Sequence, residues 1–153
     1  MRTKIIAVGK LKEAYLKAAC DEYAKRLSKY THLEIIEVSD EKAPDHLSPA
    51  DEAIIKTKEG ERILKKVDPR STLFALHPAG PAYTSEKFAK LIENHPRADF
   101  VIGGSLGLSD TLLKSAQLIS FSDLTFPHQI VRVLLLEQIY RGYRIQKNEP
   151  YHK

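Results

Sequence analysis

At 153 residues, against a usual domain size of roughly 100 to 200, the chain reads as one domain, 1–153, able to bury a core without covalent staples. Lysines and arginines number 24 against 20 aspartates and glutamates, a net charge of +4, and 29% charged beside 42% hydrophobic residues excludes a disordered chain, a collagen and a coiled coil. One cysteine, Cys20, excludes an intrachain disulfide and a multi-cysteine zinc site. No apolar run approaches the ~20 residues that span a bilayer and the N-terminus is too short an apolar run for a signal peptide, so a soluble, cytoplasmic protein without membrane contact or metal is expected.

Apolar runs alternate with helical patterns from end to end. Residues 5–8 read as a buried strand, and 11–30 as a helix with Tyr15, Leu16, Ala19, Tyr23 and Leu27 on its inner face and Cys20 an inert buried residue. A second strand covers 33–38. Ser48-Pro49 opens a helix to about residue 67, with Asp51 and Glu52 near the positive end of its dipole, and Asp68-Pro69 ends it. A third strand spans 71–76, Ser85 caps a helix to about 93, and a fourth strand spans 99–102. Ser109 caps a short helix through 116, 118–121 is a fifth strand, and a last helix runs over 128–146. The pattern predicts an α/β fold: a mostly parallel sheet with helices on both faces and ligands at the carboxyl ends of the strands.

Charge is unevenly spread: residues 1–30 carry a net +5, 31–70 a net −3, 71–126 a net −1 and 127–153 a net +3. Two basic ends could meet a phosphate backbone or could be solvated helix faces. The last helix is apolar on more than one face, which predicts burial by its own sheet on one side and a second subunit on the other. Its Arg132, Arg141 and Arg144 fit solvated or inter-subunit ion pairs as well as RNA contacts.

The strand ends carry the chemistry candidates. Leu76-His77-Pro78-Ala79-Gly80-Pro81 is a rigid turn after the third strand. Gly103-Gly104-Ser105-Leu106-Gly107-Leu108, after the fourth, lets a ligand approach bare backbone. It lacks the lysine of a phosphate-binding P-loop and the spacing of the dinucleotide fingerprint, so nucleotide phosphates are poorly served. It matches the nucleophile elbow G-x-S-x-G, and Asp123 followed by His128 or His152 gives the chain order of a serine hydrolase, although Ser109 places the helix too far beyond Ser105. Phe121-Ser122-Asp123-Leu124-Thr125-Phe126-Pro127-His128 is either core or an apolar, amide-rich site for a purine ring. Ester hydrolysis, a purine-ring ligand and non-catalytic RNA binding remain open on these features.

Taken in order, Ile102-Gly103-Gly104-Ser105-Leu106-Gly107-Leu108, Leu124-Thr125-Phe126-Pro127-His128, Arg132-Val133, Glu137-Gln138-Ile139-Tyr140-Arg141 and Pro150-Tyr151-His152-Lys153 resemble the SPOUT-class pseudouridine N3-methyltransferases of large-subunit ribosomal RNA, over essentially the whole chain. The resemblance implies a C-terminal trefoil knot, a rare topology. It also implies S-adenosyl-L-methionine bound by Leu76, Gly103, Phe121, Ser122, Asp123, Leu124, Thr125 and Phe126. A homodimer acting on ribosomal RNA, within the ribosome, is implied too, with the tail reaching the partner's cofactor pocket. This sequence departs from the family pattern at His77, where an acidic residue usually follows the leucine equivalent to Leu76.

Alkylating an imide nitrogen requires that two reactants be oriented, one proton removed and charge on the flanking carbonyl oxygens stabilised. On the resemblance, His152 is expected as base or orienting group and Arg141 as charge stabiliser, with Lys153 or Arg144 holding phosphate. Chain ends fray unless tied down, so a functional tail must be pinned.

Overall fold

The computed structural model describes all of residues 1–153. Ten elements alternate: β1 (Arg2–Val8), α1 (Ala14–Leu27), β2 (His32–Val38), α2 (Pro49–Leu64), β3 (Thr72–Leu76), α3 (Ser85–Asn94), β4 (Arg97–Ile102), α4 (Asp110–Ser115), β5 (Gln117–Ile119) and α5 (His128–Gln146). The strands form one sheet in the order β2-β1-β4-β3-β5, every pairing parallel. The expected "mostly parallel" sheet is therefore wholly parallel, and all strand carboxyl ends share one edge.

Alternating side chains of the strands feed two cores. Ile5, Ala7, Phe74, Phe100 and Ile102 face α1, α3 and α5, where Leu135, Leu136 and Ile139 are fully buried. Ile6, Val8, Ala75 and Val101 face α2 and α4, against Ile63 and Leu112. Phe74 and Phe100 stack at 5.3 Å in the centre of the first core. Helices thus cover both faces, as the long apolar strands require.

Local chemistry explains most boundaries. Ser48 and Asp51 form a capping box with Pro49 in the first turn of α2, and the Ser109 side chain accepts from Leu112 N to start α4. For α3 the cap is Thr84, which accepts from Lys87 N, and not Ser85. Ser85 Oγ instead donates to Gln138 Oε1 at 2.8 Å, tying α3 to α5. On α1 the buried stripe is Leu16, Cys20 and Leu27, whereas Tyr15 is 69% exposed, off the face expected for it.

One face of α5, carrying Arg132, Leu135, Leu136, Ile139, Tyr140, Gly142 and Tyr143, is buried by its own chain, since α1 and α3 flank it and the sheet lies beneath. Exposed apolar side chains near its N-terminus are Leu124, Phe126 and Ile130. At the opposite edge of the sheet, buried Asp99 accepts from Asp68 N at 2.8 Å and lies 3.9 Å from Lys4 Nζ, which donates to Lys66 O. These pairings satisfy charges that would otherwise be costly to bury.

The strand carboxyl ends are held by close backbone crossings. His77 N donates to Ile119 O at 2.9 Å and Ser120 N to Pro81 O at 3.0 Å, so the segment after β3 clasps β5 from both sides. Between those bonds Gly80 rests on the backbone of Leu118 and Ile119 with no room for a Cβ. The chain leaving β5 then runs through residues 121–127 into α5.

Candidate active site

A cavity of about 710 Å³ opens at the carboxyl ends of β3, β4 and β5. Three segments wall it: Leu76-His77-Pro78, the run from Ile102 to Leu108, and Ser120 to Phe126 without Asp123, closed by Pro127, His128 and Val131. Seven of the eight residues expected to bind a cofactor are there: Leu76, Gly103, Phe121, Ser122, Leu124, Thr125 and Phe126. Asp123 does not line the cavity.

Each wall has a local cause. Gly107, at φ +86°, makes the turn that returns the glycine segment on itself, and its N–H donates to Gly104 O at 3.0 Å. From below, α2 and the end of β1 support this segment: Glu59 and Val8 lie against Gly104, and Ser109 against Gly60. Burial pushes the Glu59 carboxyl above its ordinary pKa, and its Oε2 accepts from Glu41 N at 3.0 Å. Ser122 Oγ accepts from Leu124 N at 3.0 Å, which shapes the 121–127 segment, and Phe121 packs edge-on against Phe88 of α3.

The His128 and Val131 wall is fixed by a buried ion pair. Arg132, 2% exposed, donates from Nη1 to Glu37 Oε2 at 2.5 Å and from Nη2 to Gly9 O at 3.1 Å. This joins α5 to the carboxyl ends of β1 and β2, so Arg132 is neither solvated nor an RNA contact. Burial, and then the Arg132 charge, lowers the His128 pKa, which leaves that ring neutral at physiological pH.

No aspartate, glutamate, lysine or arginine lines the cavity. Its polar contribution comes from small hydroxyls, two histidines and backbone. The N–H groups of Phe121, Ser122, Thr125 and Phe126 donate to no acceptor within the chain. Ser105 belongs to the same wall, but its hydroxyl makes no hydrogen bond with His77 or His128, and α4 begins only at Asp110. The strand-to-helix turn that would activate an elbow serine is therefore absent, and with it the hydrolase geometry.

The two residues expected to carry chemistry, Arg141 and His152, lie together but outside this cavity's lining. Arg141 donates from Nε and Nη2 to Glu137 Oε1, at 3.0 and 2.6 Å, and from Nη1 to His152 Nδ1 at 3.1 Å. The Glu137 hydrogen bonds hold the guanidinium even more firmly protonated than usual. Tyr151 lies beneath it, the guanidinium carbon 4.8 Å from the ring centre, and donates from its hydroxyl to Glu137 Oε1 at 3.1 Å. Burial, reinforced by hydrogen bonding to Tyr23 and Glu137, raises the Tyr151 pKa. His152 Nε2 lies 2.7 Å from Glu86 Oε1 on the first turn of α3.

The expected pinning of the tail is present within one chain. Asn148, at φ +52°, reverses the chain after α5, and Glu149 N donates to Arg144 O at 2.9 Å. Arg144 then grips the tail through the Glu149 carboxylate and through Pro150 O at 2.7 Å, while Tyr30 hydroxyl donates to Glu149 Oε2 at 2.7 Å. Arg144, expected above as an alternative to Lys153 for holding phosphate, is instead engaged in positioning the tail. Lys153 is exposed. Sequence reasoning missed Glu137, Glu86 and Tyr30 as parts of this cluster. The Glu137 and Arg141 spacing of one helical turn was a readable signal, whereas the other two partners come from distant elements.

Comparison with known proteins agrees with this geometry. A family described as "Predicted SPOUT methyltransferase" matches residues 1–152. The chain is 57% identical to a protein of Clostridium botulinum (strain Okra / Type B1), 55% to one of Exiguobacterium sp. (strain ATCC BAA-1283 / AT1b) and 54% to one of Clostridium kluyveri (strain NBRC 12016), each over 100% of both chains. All three relatives are named "Ribosomal RNA large subunit methyltransferase H". With a wholly parallel α/β sheet, a cavity at its carboxyl edge and a family match over nearly every residue, the chain belongs to the SPOUT methyltransferase family.

Proposed function

We propose that this protein is an S-adenosyl-L-methionine-dependent methyltransferase that methylates N3 of a pseudouridine in large-subunit ribosomal RNA, acting in the cytoplasm as a homodimer. The observation that carries the reading is the uncharged cavity at the carboxyl ends of β3, β4 and β5. A nucleotide cofactor would need countercharge for its phosphates; S-adenosyl-L-methionine has none, and its adenine asks for apolar walls and backbone donors. Leu76, Leu124 and Phe126 supply the former, and the free N–H groups between Phe121 and Phe126 the latter. When bound there, the cofactor supplies an electrophilic methyl group. The clasp of residues 77–81 around β5 supports the C-terminal trefoil knot expected for this fold.

The chain's own residues then divide the work. The cavity orients the methyl donor. Arg141, with Glu137 fixing its plane, places positive charge where the carbonyl oxygens flanking the imide nitrogen would gain negative charge. Because Arg141 and His152 do not line the cavity of their own chain, a complete site calls for a second copy to bring them there. Exposed Leu124, Phe126 and Ile130 beside the cavity mouth give that copy an apolar seat. Pairing also brings together the basic terminal segments, a surface suited to RNA phosphates.

Calorimetric titration with S-adenosyl-L-methionine and methyl transfer to ribosomal particles test the reading together. Removal of residues 151–153 should leave cofactor affinity near normal and abolish transfer, and Arg141→Ala should lower turnover more than cofactor affinity. Absence of cofactor binding would overturn the reading, and full transfer by the truncated protein would remove the tail from the mechanism.

A further inference from the structure

Outside the cavity, the densest set of polar contacts lies where the chain end folds back on α5, and there the proton positions follow from geometry. A guanidinium can only donate. With Arg141 Nη1 at 3.1 Å from His152 Nδ1, that ring nitrogen must accept and carries no proton. The other ring nitrogen, Nε2, is 2.7 Å from Glu86 Oε1, and a carboxylate accepts, so the proton is on Nε2. The same hydrogen bond holds the Glu86 carboxyl below its ordinary pKa, which keeps it a charged acceptor. Both ring nitrogens are thereby occupied.

We propose that Glu86 is a positioning residue: it locks His152 in the neutral Nε2–H tautomer, which makes His152 the acceptor that orients Arg141 and not the base that takes the substrate's proton. The inference rests on the methyltransferase reading, in which Arg141 faces the substrate. Of the five N–H groups of Arg141, one on Nε and one on Nη2 go to Glu137 and one on Nη1 goes to His152. Two remain, one on each terminal nitrogen, for substrate oxygens. The other tautomer would set a ring N–H against Nη1, donor against donor, and leave the guanidinium held by Glu137 alone, without its third positioning hydrogen bond. Glu86 belongs to α3 and His152 to the tail, so the tautomer is set only once the tail has docked.

The test is nitrogen-15 histidine NMR on the full-length protein, with His152→Asn to assign the ring among the six histidines. Wild-type His152 should show a protonated Nε2 and a bare Nδ1 near neutral pH. Glu86→Ala should give a mixture of tautomers and, from the loss of one positioning hydrogen bond, turnover lower by about 5-fold at unchanged KM for the methyl donor. Glu86→Gln, which keeps an acceptor oxygen in place, should restore both. A protonated Nδ1 in the wild type overturns the proposal, as does an unchanged tautomer with unchanged turnover in Glu86→Ala. Methyl transfer by a protein lacking residues 151–153 would overturn the underlying reading instead, whatever the tautomer.

Discussion

Gly80→Ala places one methyl group where the segment after β3 crosses the backbone of β5. The added Cβ would lie 2.7 Å from Ile119 N and from the carbonyl carbon of Leu118, and 2.9 Å from that of Ile119. None of these atoms is the end of a flexible side chain that could turn away. Relief to ordinary contact at about 3.4 Å requires loop and strand to part by about 0.7 Å. The flanking hydrogen bonds, His77 N to Ile119 O at 2.9 Å and Ser120 N to Pro81 O at 3.0 Å, would then stretch to about 3.6–3.7 Å, beyond useful range. Overpacking costs about 1–3 kcal/mol and each lost hydrogen bond about 1 kcal/mol, so a destabilisation of about 3–5 kcal/mol is expected. Urea unfolding followed by circular dichroism should show a lower midpoint at unchanged m. Because Leu76, His77 and Pro78 move with the loop, affinity for S-adenosyl-L-methionine should also fall, by about 10-fold if one contact is lost. A variant within ~0.5 kcal/mol of wild type, with unaltered affinity, would refute the claim that this crossing is rigid and holds the cavity wall.

Two further outcomes follow from buried titratable groups. Burial raises the Glu59 pKa, so the folded state holds that proton more tightly than the unfolded chain; the associated stability is present below about pH 4.3 and is lost as pH rises through the folded pKa. Glu59→Gln, which still offers an oxygen to Glu41 N, should therefore raise Tm by a few degrees at neutral pH and show no advantage below about pH 4 in thermal scans. Cys20 is 4% exposed and burial pushes its thiol pKa above the ordinary value, so iodoacetamide at about pH 8 should label it at least ~100-fold more slowly in the native protein than in denaturant. Rapid native labelling would mean that α1 opens readily from the sheet.

The sequence was legible where local chemistry decides structure. Apolar runs and helical hydrophobic patterns located all ten elements, Ser48-Pro49 and Ser109 located two helix starts, and α5 was read to its observed bounds. It misled where two similar residues compete. Thr84 and Ser85 both offer a cap hydroxyl, and the choice went to Thr84 because Ser85 is drawn to Gln138 on α5. The face of α1 was read one position early, through Tyr15, because a tyrosine is apolar enough to suit either side. The glycine segment after β4 stood out as a candidate binding loop because an ordinary surface turn does not need three glycines, whereas the apolar run 121–128 read equally as core or as a ligand wall; both line the cavity. The partners of Arg132, Arg144 and His152 were not legible, since Glu37, Tyr30 and Glu86 lie 95, 114 and 66 positions away and no local pattern couples them.

Ion pairing, distant for Arg132 and local for Arg141 and Arg144, also explains why the charged groups of the proposed site are assembled away from the cavity. An arginine turned into an apolar, phosphate-free pocket would face a cationic cofactor across low dielectric, where like charges repel strongly. In this chain Arg132 is instead neutralised by Glu37 behind the wall, and Arg141 and Arg144 are neutralised by Glu137 and Glu149 along the far part of α5. On the proposed function, the cavity is thus left uncharged for a sulfonium cofactor, while Arg141 retains two N–H groups for an acceptor that becomes negative only during reaction. A second subunit that carries Arg141 to the cavity mouth would bring positive charge to the substrate side of the methyl group and leave the cofactor side neutral. On the proposed function, dimerisation separates two electrostatic demands that one small pocket could not meet at once.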